Sequence, residues 1–387
     1  MKAKAGTPNT QPKVLPKVLH CHSTFSAGGK ERRAVKLMNA FGRKLEHTIV
    51  SAMPDQMGAR ELLDRGVKAT FPNDFQSLTG KPTPGRLVEI AKALSGYDLI
   101  LTYNWGAMDV VMAHTVFGDA FKLPPLIHHE DGFNEDEAVQ LKTSRNWYRR
   151  IALGRTSSLV VPSAVLERIA VEKWKQPHAR VVRIPNGIDT KAFAKKPKPG
   201  SLRVVKREGE HWVGTLAGLR PVKQLPDLVA AFREMPEDWH LVILGEGPEQ
   251  NAIREASTAH EIAHRVHLPG AVSDPAQVIG LFDIFALSSK SEQFPLSVVE
   301  AMAAGLPVVA PGVGDIRAIV TEENARLITP PGDVKALGEA LVMLAEEPDK
   351  RAQIGAANKA KAREHFDEAT MVQRYRTLYS GAMGRDF

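Results

Sequence analysis

The sequence predicts an α/β protein made of two doubly wound domains, and three observations support this prediction. Short apolar runs alternate with amphipathic helical patterns along the chain of 387 residues, as expected of βαβ units on a parallel sheet. A segment rich in Lys, Pro and Gly at residues 195–202 divides this alternation into two halves of similar size. The length favours two or three domains at roughly 150 residues each.

In the first half, short apolar runs bounded by polar segments predict buried parallel strands. These runs are Val18–Cys21, Thr48–Ala52, Leu99–Thr102, Pro125–His128 and Ser158–Pro162. Amphipathic stretches at Glu31–Phe41 and Leu87–Leu94 predict helices between them. Residues 1–13 carry no periodicity and predict a disordered tail. We therefore expect a first doubly wound domain over residues 1–195.

The second half repeats the same alternation and predicts a second doubly wound domain over residues 196–367. Its predicted strands are Trp212–Leu216, Leu241–Leu244, Val266–Leu268, Ile284–Leu287 and Val308–Ala310. Residues 368–387 predict an amphipathic helix whose apolar face holds Met371, Tyr375, Leu378 and Tyr379. We expect this last helix to pack back onto the first domain.

Composition excludes several classes of protein. Apolar residues make up 43% of the chain and charged residues 25%, which is typical of a soluble globular protein. The sequence has no apolar run close to the roughly 18–20 residues that span a bilayer. The single cysteine, Cys21, cannot form an internal disulfide. Because the first 17 residues also lack an apolar signal region, we expect a cytoplasmic protein, with attachment to the inner face of the membrane as a second expectation.

Charge is distributed unequally between the two halves. Residues 1–195 hold 29 Lys+Arg against 18 Asp+Glu, a balance of +11, whereas residues 196–387 hold 22 against 26, a balance of −4. The basic half fits an anionic acceptor or a membrane surface. Within residues 142–155, Trp147, Arg149 and Arg150 are the candidate contacts to such a surface. The alternative is a helix that exposes its basic residues to water.

The strongest signal for chemistry is the segment at residues 291–309. Glu292 follows the strand predicted at Ile284–Leu287, and Glu300 stands eight residues later, in the predicted first turn of a helix. Ligands of open α/β sheets bind beyond the carboxyl ends of the strands, where this loop falls. The backbone around Phe294–Ser297 leads into a helix N-terminus, which is a suitable cradle for a diphosphate.

A structural interpretation of the same residues stays open at this point. Ser297 and Glu300 have the spacing of a capping box, in which the glutamate closes the start of a helix. In that interpretation Glu300 has no role toward a ligand.

The segment from Glu292 to Val308 resembles the hallmark of glycosyltransferase family 4, whose members are retaining enzymes of the GT-B fold. That hallmark is a Glu-x7-Glu motif followed by Ala-Met-Ala-x-Gly-x-Pro-Val. The family's usual Glu-Gly-Phe-Gly opening is Glu-Gln-Phe-Pro here. The resemblance covers nearly the whole chain. It implies two Rossmann-like domains with a cleft between them, a nucleotide-diphosphate sugar bound by the second domain and an acceptor bound by the first.

The resemblance also implies which residues meet the donor. Glu292 would hold sugar hydroxyls and Glu300 the ribose. Lys223 matches a lysine that neutralises the diphosphate. The family's paired arginine is replaced by Gly218, so Arg220 is the candidate for a displaced partner; both cations have the alternative of being solvated surface charges. The remaining candidate donor contacts are Gly28, Gly29, Gly270, Phe294, Pro295, Leu296 and Ser297.

A histidine at a strand end of the first domain completes the implied site. Family members place such a side chain opposite the anomeric centre. His128 is the first candidate, because His-x-Glu-x-Gly is a variant of the family pattern, and His129 is the second. A structural role for either histidine stays open.

The sequence gives no sign of a metal or cofactor site. It contains no Asp-x-Asp and no Cys/His cluster with zinc spacing, so we expect a metal-independent enzyme without a cofactor. A UDP-sugar is the favoured donor over a GDP-sugar. Two alternatives remain: a sugar-nucleotide epimerase of the GT-B fold and a basic nucleic-acid-binding protein. The sequence has no recognition helix or stacking platform for the latter, so we expect no nucleic-acid partner.

Overall fold

The computed structural model describes residues 14–133, 137, 140–197 and 200–387. The tail predicted at residues 1–13 and residues 198–199 of the predicted linker lie outside these ranges. The described residues form two parallel sheets flanked by helices, which confirms the α/β fold expected from the sequence.

The first sheet has seven strands in the order β3-β2-β1-β4-β5-β6-β7. The strands are β1 Lys17–His22, β2 Glu46–Ser51, β3 Lys68–Thr70, β4 Leu99–Tyr103, β5 Leu126–His129, β6 Ser158–Val161 and β7 Val181–Arg183. All neighbouring pairs are parallel, with Leu19 opposite both Thr48 and Ile100 in the central register. This order reverses at β1 and β4, so a ligand crevice is expected beyond their carboxyl ends.

The second sheet has six strands in the order β10-β9-β8-β11-β12-β13. They are β8 His211–Leu216, β9 Trp239–Leu244, β10 Val266–Gly270, β11 Ile284–Ala286, β12 Val308–Pro311 and β13 Ile328–Thr329. This order repeats that of the first six strands, so its crevice lies beyond β8 and β11. Three strands of the two sheets were absent from the sequence prediction: β3, β7 and β13.

Helices cover both faces of each sheet. In the first domain they are α1 Gly29–Phe41, α2 Pro84–Ala93, α3 Met108–Phe121, α4 Thr143–Ala152 and α5 Ala164–Glu172. The short α6, Thr190–Phe193, precedes the second domain. There the helices are α7 Leu225–Phe232, α8 Gln250–Ala259, α9 Leu296–Ala304, α10 Ile316–Ile319, α11 Val334–Glu346 and α12 Pro348–His365. The last helix is α13 Glu368–Met383.

Helix α13 belongs spatially to the first domain. Met371, Tyr375 and Tyr379 are buried in one apolar cluster with residues of α1 and the first sheet. The two segments that join the domains are bonded to each other, because the amide of Ile188 donates to the carbonyl of Phe366 at 3.0 Å. The chain thus crosses between the domains twice, through two segments that lie side by side.

Candidate active site

The carboxyl ends of β8 and β11 bring together the two charged groups proposed for the donor side. These strands are neighbours in the sheet. Lys223 ends a short 3-10 turn after β8, and Glu292 lies in the loop after β11. The Lys223 ammonium donates to the Glu292 carboxylate. Both side chains are largely buried, and the hydroxyl of Ser288 fixes the turn by donating to the Lys223 carbonyl at 2.9 Å.

Helix α9 begins without a side-chain cap. Its N-cap residue is Pro295, which has extended backbone and no side-chain acceptor. Leu296 and Ser297 are the first two helical residues, so their amides have no intrahelical partner by helix geometry. Pro295 itself has no N–H, so it can contact a ligand only through its ring and its carbonyl. Phe294 packs its ring against Phe366 at 5.7 Å, which anchors the loop to α12.

Glu300 lies in the second turn of α9, not in the first turn as predicted. The helix starts two residues earlier than a capping box with Ser297 as N-cap would require. Ser297 is therefore not the cap, and the capping-box interpretation is excluded. Burial raises the pKa of Glu300 to about 7, and Lys36 partly opposes this shift.

The Glu300 side chain borders a cleft of about 870 Å³ between the two domains. The opposite wall comes from α1, where Gly29, Arg32 and Lys36 line the same space. Gly28, one residue earlier, is the exposed N-cap of α1, and a Cβ there would lie 2.7 Å from Glu31 Oε2. The structure thus brings Gly29 and Glu300 to one cleft, although they are far apart in sequence.

A second cavity of about 320 Å³ lies around Gly270, at the end of β10. Gly270 has φ +93°, in the left-handed region that favours glycine. Asp274 lines both this cavity and the cleft, so the two spaces are adjacent.

The side chain of Arg220 lies close to Gly218, the position at which the resemblance places an arginine that this chain lacks. A Cβ placed on Gly218 would lie 3.5 Å from Arg220 Nε. The side chain is exposed, and a guanidinium starting from residue 220 reaches the space above residue 218.

Neither His128 nor His129 is among the residues that line this cleft, and a role of one of them at the anomeric centre stays a prediction. Successive residues of β5 point to opposite faces of the sheet, and both imidazoles are fully buried. His128 Nδ1 lies 2.8 Å from Thr102 Oγ1. His129 Nε2 lies 3.0 Å from the Tyr379 hydroxyl, and burial lowers its pKa well below the usual range.

Asp131 follows β5 by two residues and pairs with Arg33, which lines the cleft; the sequence prediction missed this aspartate. The guanidinium of Arg33 donates to both of its carboxylate oxygens, and also to Asn186 Oδ1 at 3.1 Å. The next residue, Gly132, lies against the second domain, since a Cβ there would be 3.2 Å from Gln293 Cγ. The available signal was its position in the sequence, shortly after the strand predicted at Pro125–His128.

The prediction that Arg149 contacts a membrane or acceptor is wrong. Its side chain is fully buried, with Nε donating to Glu130 Oε2 at 3.1 Å and the guanidinium pairing with Glu137. The guanidinium also lies 5.0 Å from the ring centroids of both Trp105 and Trp174. This arginine therefore holds α4 on the domain.

Two other predicted contacts on α4, Trp147 and Arg150, are on the surface. Trp147 is 56% exposed, and the Arg150 guanidinium lies 5.0 Å from its ring centroid. Ile151 on the same helix and Val116 on the adjacent α3 are also 55% exposed. Among the helices that the structure describes, none combines the length and hydropathy needed to cross a membrane.

Two family models match the chain. The model described as Glycosyltransferase Family 4 matches residues 27–192, and the model described as Glycosyl transferases group 1 matches residues 203–361. Together they span most of both domains.

Individual proteins are also similar to this chain in sequence or in structure. The N-acetyl-alpha-D-glucosaminyl L-malate synthase of Bacillus anthracis is 24% identical over 289 residues, covering 72% of this chain and 73% of that protein. The UDP-Gal:alpha-D-GlcNAc-diphosphoundecaprenol alpha-1,3-galactosyltransferase of Escherichia coli is 24% identical over 336 residues, covering 82% and 85%. Among solved structures, Anabaena HepE in complex with UDP superimposes with a TM-score of 0.78 at 19% identity, over 94% of this chain and 100% of that one.

Proposed function

This chain belongs to glycosyltransferase family 4 and is a glycosyltransferase of the GT-B fold, and from that premise we propose its donor, stereochemistry and acceptor. The donor is a UDP-sugar, the acceptor is lipid-linked or a cell-envelope glycan, and transfer retains the anomeric configuration without a metal. The observation that carries the proposal is the uncapped start of α9 between Glu300 and the Lys223–Glu292 pair.

The leaving diphosphate is stabilised by Lys223 and the start of α9. The amides of Leu296 and Ser297 are free of intrahelical bonds, and a helix N-terminus favours an anion. Lys223 adds a full positive charge beside them. Because Glu292 already holds the ammonium, it orients Lys223 before the donor arrives. The second carboxylate oxygen of Glu292 is then the acceptor for sugar hydroxyls.

Glu300 is proposed to hold the ribose. A half-buried carboxylate that caps no helix and borders the cleft is available to accept two hydroxyl hydrogen bonds. The adjacent cavity at Gly270 is the candidate pocket for the base. A uracil base is favoured because the Escherichia coli relative is named for UDP-galactose and HepE was solved with UDP.

Arg220 is proposed to replace the family arginine that this chain lacks at Gly218. Its guanidinium reaches the space above residue 218, on the same loop as Lys223. On the acceptor side, Arg33 lines the cleft and is held by Asp131, so this pair is proposed to contact the acceptor. The two alternative functions, an epimerase and a nucleic-acid-binding protein, are not favoured by the family models and relatives described above.

A donor screen followed by product analysis tests this proposal. UDP-glucose, UDP-galactose, UDP-N-acetylglucosamine, GDP-mannose and ADP-glucose are compared by thermal shift, and the best ligand is incubated with a polyprenyl-diphosphate-linked sugar. We expect a UDP-sugar to give the largest shift and an α-linked product by NMR coupling constants. Stabilisation by a GDP- or ADP-sugar alone would overturn the choice of base, and a β-linked product would overturn retention.

Activity is expected to survive treatment with EDTA, because Lys223, Arg220 and the α9 amides supply the positive charge that a metal supplies elsewhere. Initial rates are measured after dialysis against the chelator and again after adding Mg²⁺ or Mn²⁺. Loss of turnover that either metal restores would contradict the metal-independent mechanism.

Binding of a UDP-sugar is expected to weaken as the pH falls from 8 to 6. Only the ionised form of Glu300 accepts both ribose hydroxyls, and its pKa is about 7 in the free protein. Affinity should therefore fall by about tenfold over this range. UDP-glucose is the ligand for calorimetry, because its diphosphate does not titrate here. In Glu300→Gln the pH dependence should disappear, and an unchanged profile in that variant would assign it to another group.

The same group predicts a pH dependence of stability. The folded-state pKa of Glu300 lies above its ordinary value of 4.5, so its contribution to stability is complete below 4.5 and is lost as the pH rises through about 7. The Glu300→Gln variant should therefore melt at a higher temperature than the wild type at pH 8, in the absence of nucleotide.

An acceptor in or on a membrane requires a surface that meets anionic lipid, and α3 and α4 are the proposed surface. Three large exposed apolar side chains, Val116, Trp147 and Ile151, lie on these adjacent helices. Arg150 stands beside Trp147, and the first half of the chain carries the balance of +11. Trp and Arg together suit the interface between headgroups and acyl chains.

Liposome flotation tests this surface. We expect the protein to float with phosphatidylglycerol vesicles at low salt and to be released by about 0.5 M salt, because charge interactions are then screened. Trp147→Ser with Arg150→Glu should abolish flotation, while Lys335→Glu, at an exposed lysine of α11, should leave it unchanged. Equal flotation of both variants would place the contact elsewhere, and no flotation at low salt would refute membrane binding.

A further inference from the structure

One helix of the first domain is capped by a side chain of the second. The first-turn amides of α5 are those of Ala164, Val165 and Leu166. Ser163 Oγ, within the same domain, accepts from the Leu166 amide at 3.1 Å. The other two amides donate to Asp315, Ala164 to Oδ2 at 2.5 Å and Val165 to Oδ1 at 3.0 Å.

Asp315 lies in the second domain, between β12 and α10, and it is 8% exposed. A carboxylate at a helix N-terminus receives charge-assisted hydrogen bonds and a favourable interaction with the helix dipole. Here the two partners come from different domains. The contact is therefore made only when the domains have this relative orientation.

The backbone around Asp315 is locked to the loop that carries Glu292. The Asp315 amide donates to the Gln293 carbonyl at 3.1 Å. Gly314 has φ +56° and approaches the Glu292 carbonyl so closely that a Cβ would overlap it. The two loops therefore move as one unit, and a restraint on Asp315 is also a restraint on Glu292.

In the first domain, the helix that Asp315 caps is connected through neighbouring strands to the residues proposed for the acceptor side of the cleft. Helix α5 follows β6, which pairs with β5 along Ile127 to His129. Asp131 and Gly132 come directly after β5, and Gly132 meets Gln293 across the cleft. The contact at Asp315 thus fixes the spacing between the Lys223–Glu292 pair and the Arg33–Asp131 pair.

We propose that Asp315 is a positioning residue that holds the two domains in the orientation required for transfer. Both amides and the carboxylate can be solvated when the cleft opens, so the contact favours closure without making it irreversible. The catalytic consequence rests on the proposed function, whereas the restraint on domain orientation does not.

Two variants remove the contact from opposite sides. Asp315→Ala removes the acceptor. Ala164→Pro removes one donor, and it fits α5 because proline is favoured at the first helical position. The preceding Ser163 has φ −131° and ψ 153°, which a following proline permits. Asp333→Ala is the matched control, because Asp333 caps the Ala336 amide at 2.9 Å within the second domain alone.

Domain orientation is measured by small-angle X-ray scattering with and without UDP. We expect a larger radius of gyration for Asp315→Ala and Ala164→Pro than for the wild type, and no change for Asp333→Ala. Circular dichroism and melting curves identify any variant that fails to fold. Because the two variants alter different domains, either one that folds decides the question. An unchanged radius of gyration in a folded variant overturns the proposed restraint, whether or not the protein transfers sugar.

Kinetics test the catalytic consequence separately. We expect kcat of both variants to fall by about 10- to 100-fold, since small displacements of reacting groups cost that much. The Kd for UDP should stay within twofold, because the candidate donor contacts of the second domain are untouched. An enlarged radius of gyration with unchanged kcat would overturn the positioning role while leaving the restraint intact. If no variant and no wild-type sample transfers sugar, the scattering result stands and the proposed function fails.

Discussion

Replacing Lys223 with alanine is expected to lower kcat by about 100-fold or more, with a smaller effect on the KM for the donor. Negative charge on the diphosphate grows as the glycosidic bond breaks, so a cation beside it acts more strongly in the transition state than in the ground state. Losing one such preorganised group costs about 10²–10³ in kcat. The variant also leaves Glu292 without the ammonium that it contacts. Initial rates over a range of donor concentrations separate the two effects.

Lys290→Ala is the matched control for this experiment. Lys290 is exposed and lies in the loop after β11, where its amide donates to the Val222 carbonyl at 2.9 Å. We expect this variant to keep wild-type kinetics, and Lys223→Arg to recover part of the lost rate. Equal and small changes in kcat and KM for Lys223→Ala would remove this residue from the leaving-group site.

Replacing Arg149 with alanine is expected to destabilise the protein by about 3–5 kcal/mol, which is the usual cost of leaving buried charges without their partner. Glu130 and Glu137 both contact this guanidinium, and all three side chains are buried. For a domain of this size each kcal/mol corresponds to roughly 2–4 °C in Tm. Differential scanning calorimetry measures the shift.

Arg150→Ala provides the comparison, since Arg150 is the next residue on α4 and is exposed. Its Tm should remain near that of the wild type, because exposed substitutions usually change stability by less than about 0.5 kcal/mol. A similar Tm for the two variants would mean that the buried network around Arg149 contributes little.

The central strands of both sheets could be predicted because each is a short apolar run buried on both faces. Val18–Cys21 and Val308–Ala310, for example, lie within β1 and β12. The strands that were missed are at or near sheet edges and are two or three residues long. β3 reads Lys-Ala-Thr and β13 reads Ile-Thr, too short for a pattern to stand out.

The donor side of the site was predictable to the extent that it follows from strand ends. Lys223 and Glu292 lie beyond neighbouring parallel strands, and the structure joins them in an ion pair. The exact start of α9 could not be read from the sequence. Ser297 fitted the capping-box alternative by residue type, but the N-cap is Pro295, which excludes a capping role for Glu300.

The errors on the first domain have a common physical cause. The basic pattern of residues 142–155 suggested that Arg149 is exposed. Its burial depends on a partner outside that segment, Glu130, which the pattern does not reveal. Likewise, His128 and His129 alternate along β5, and the sequence does not show that both imidazoles are fully buried, with His129 against Tyr379 of α13. Asp315 was missed because its partners, Ala164 and Val165, belong to the other domain.

The central claim is that the cleft bordered by Glu300 binds a nucleotide diphosphate, and calorimetric titration with UDP tests it most directly. The titration compares the wild type with Glu300→Ala and with Glu339→Ala, a control at an exposed glutamate of α11. We expect saturable binding by the wild type and the control. Glu300→Ala should bind about 10- to 100-fold more weakly, because a charge-assisted hydrogen bond contributes about 1.5–3 kcal/mol. Absence of binding by the wild type, or equal affinity in all three proteins, would contradict the account.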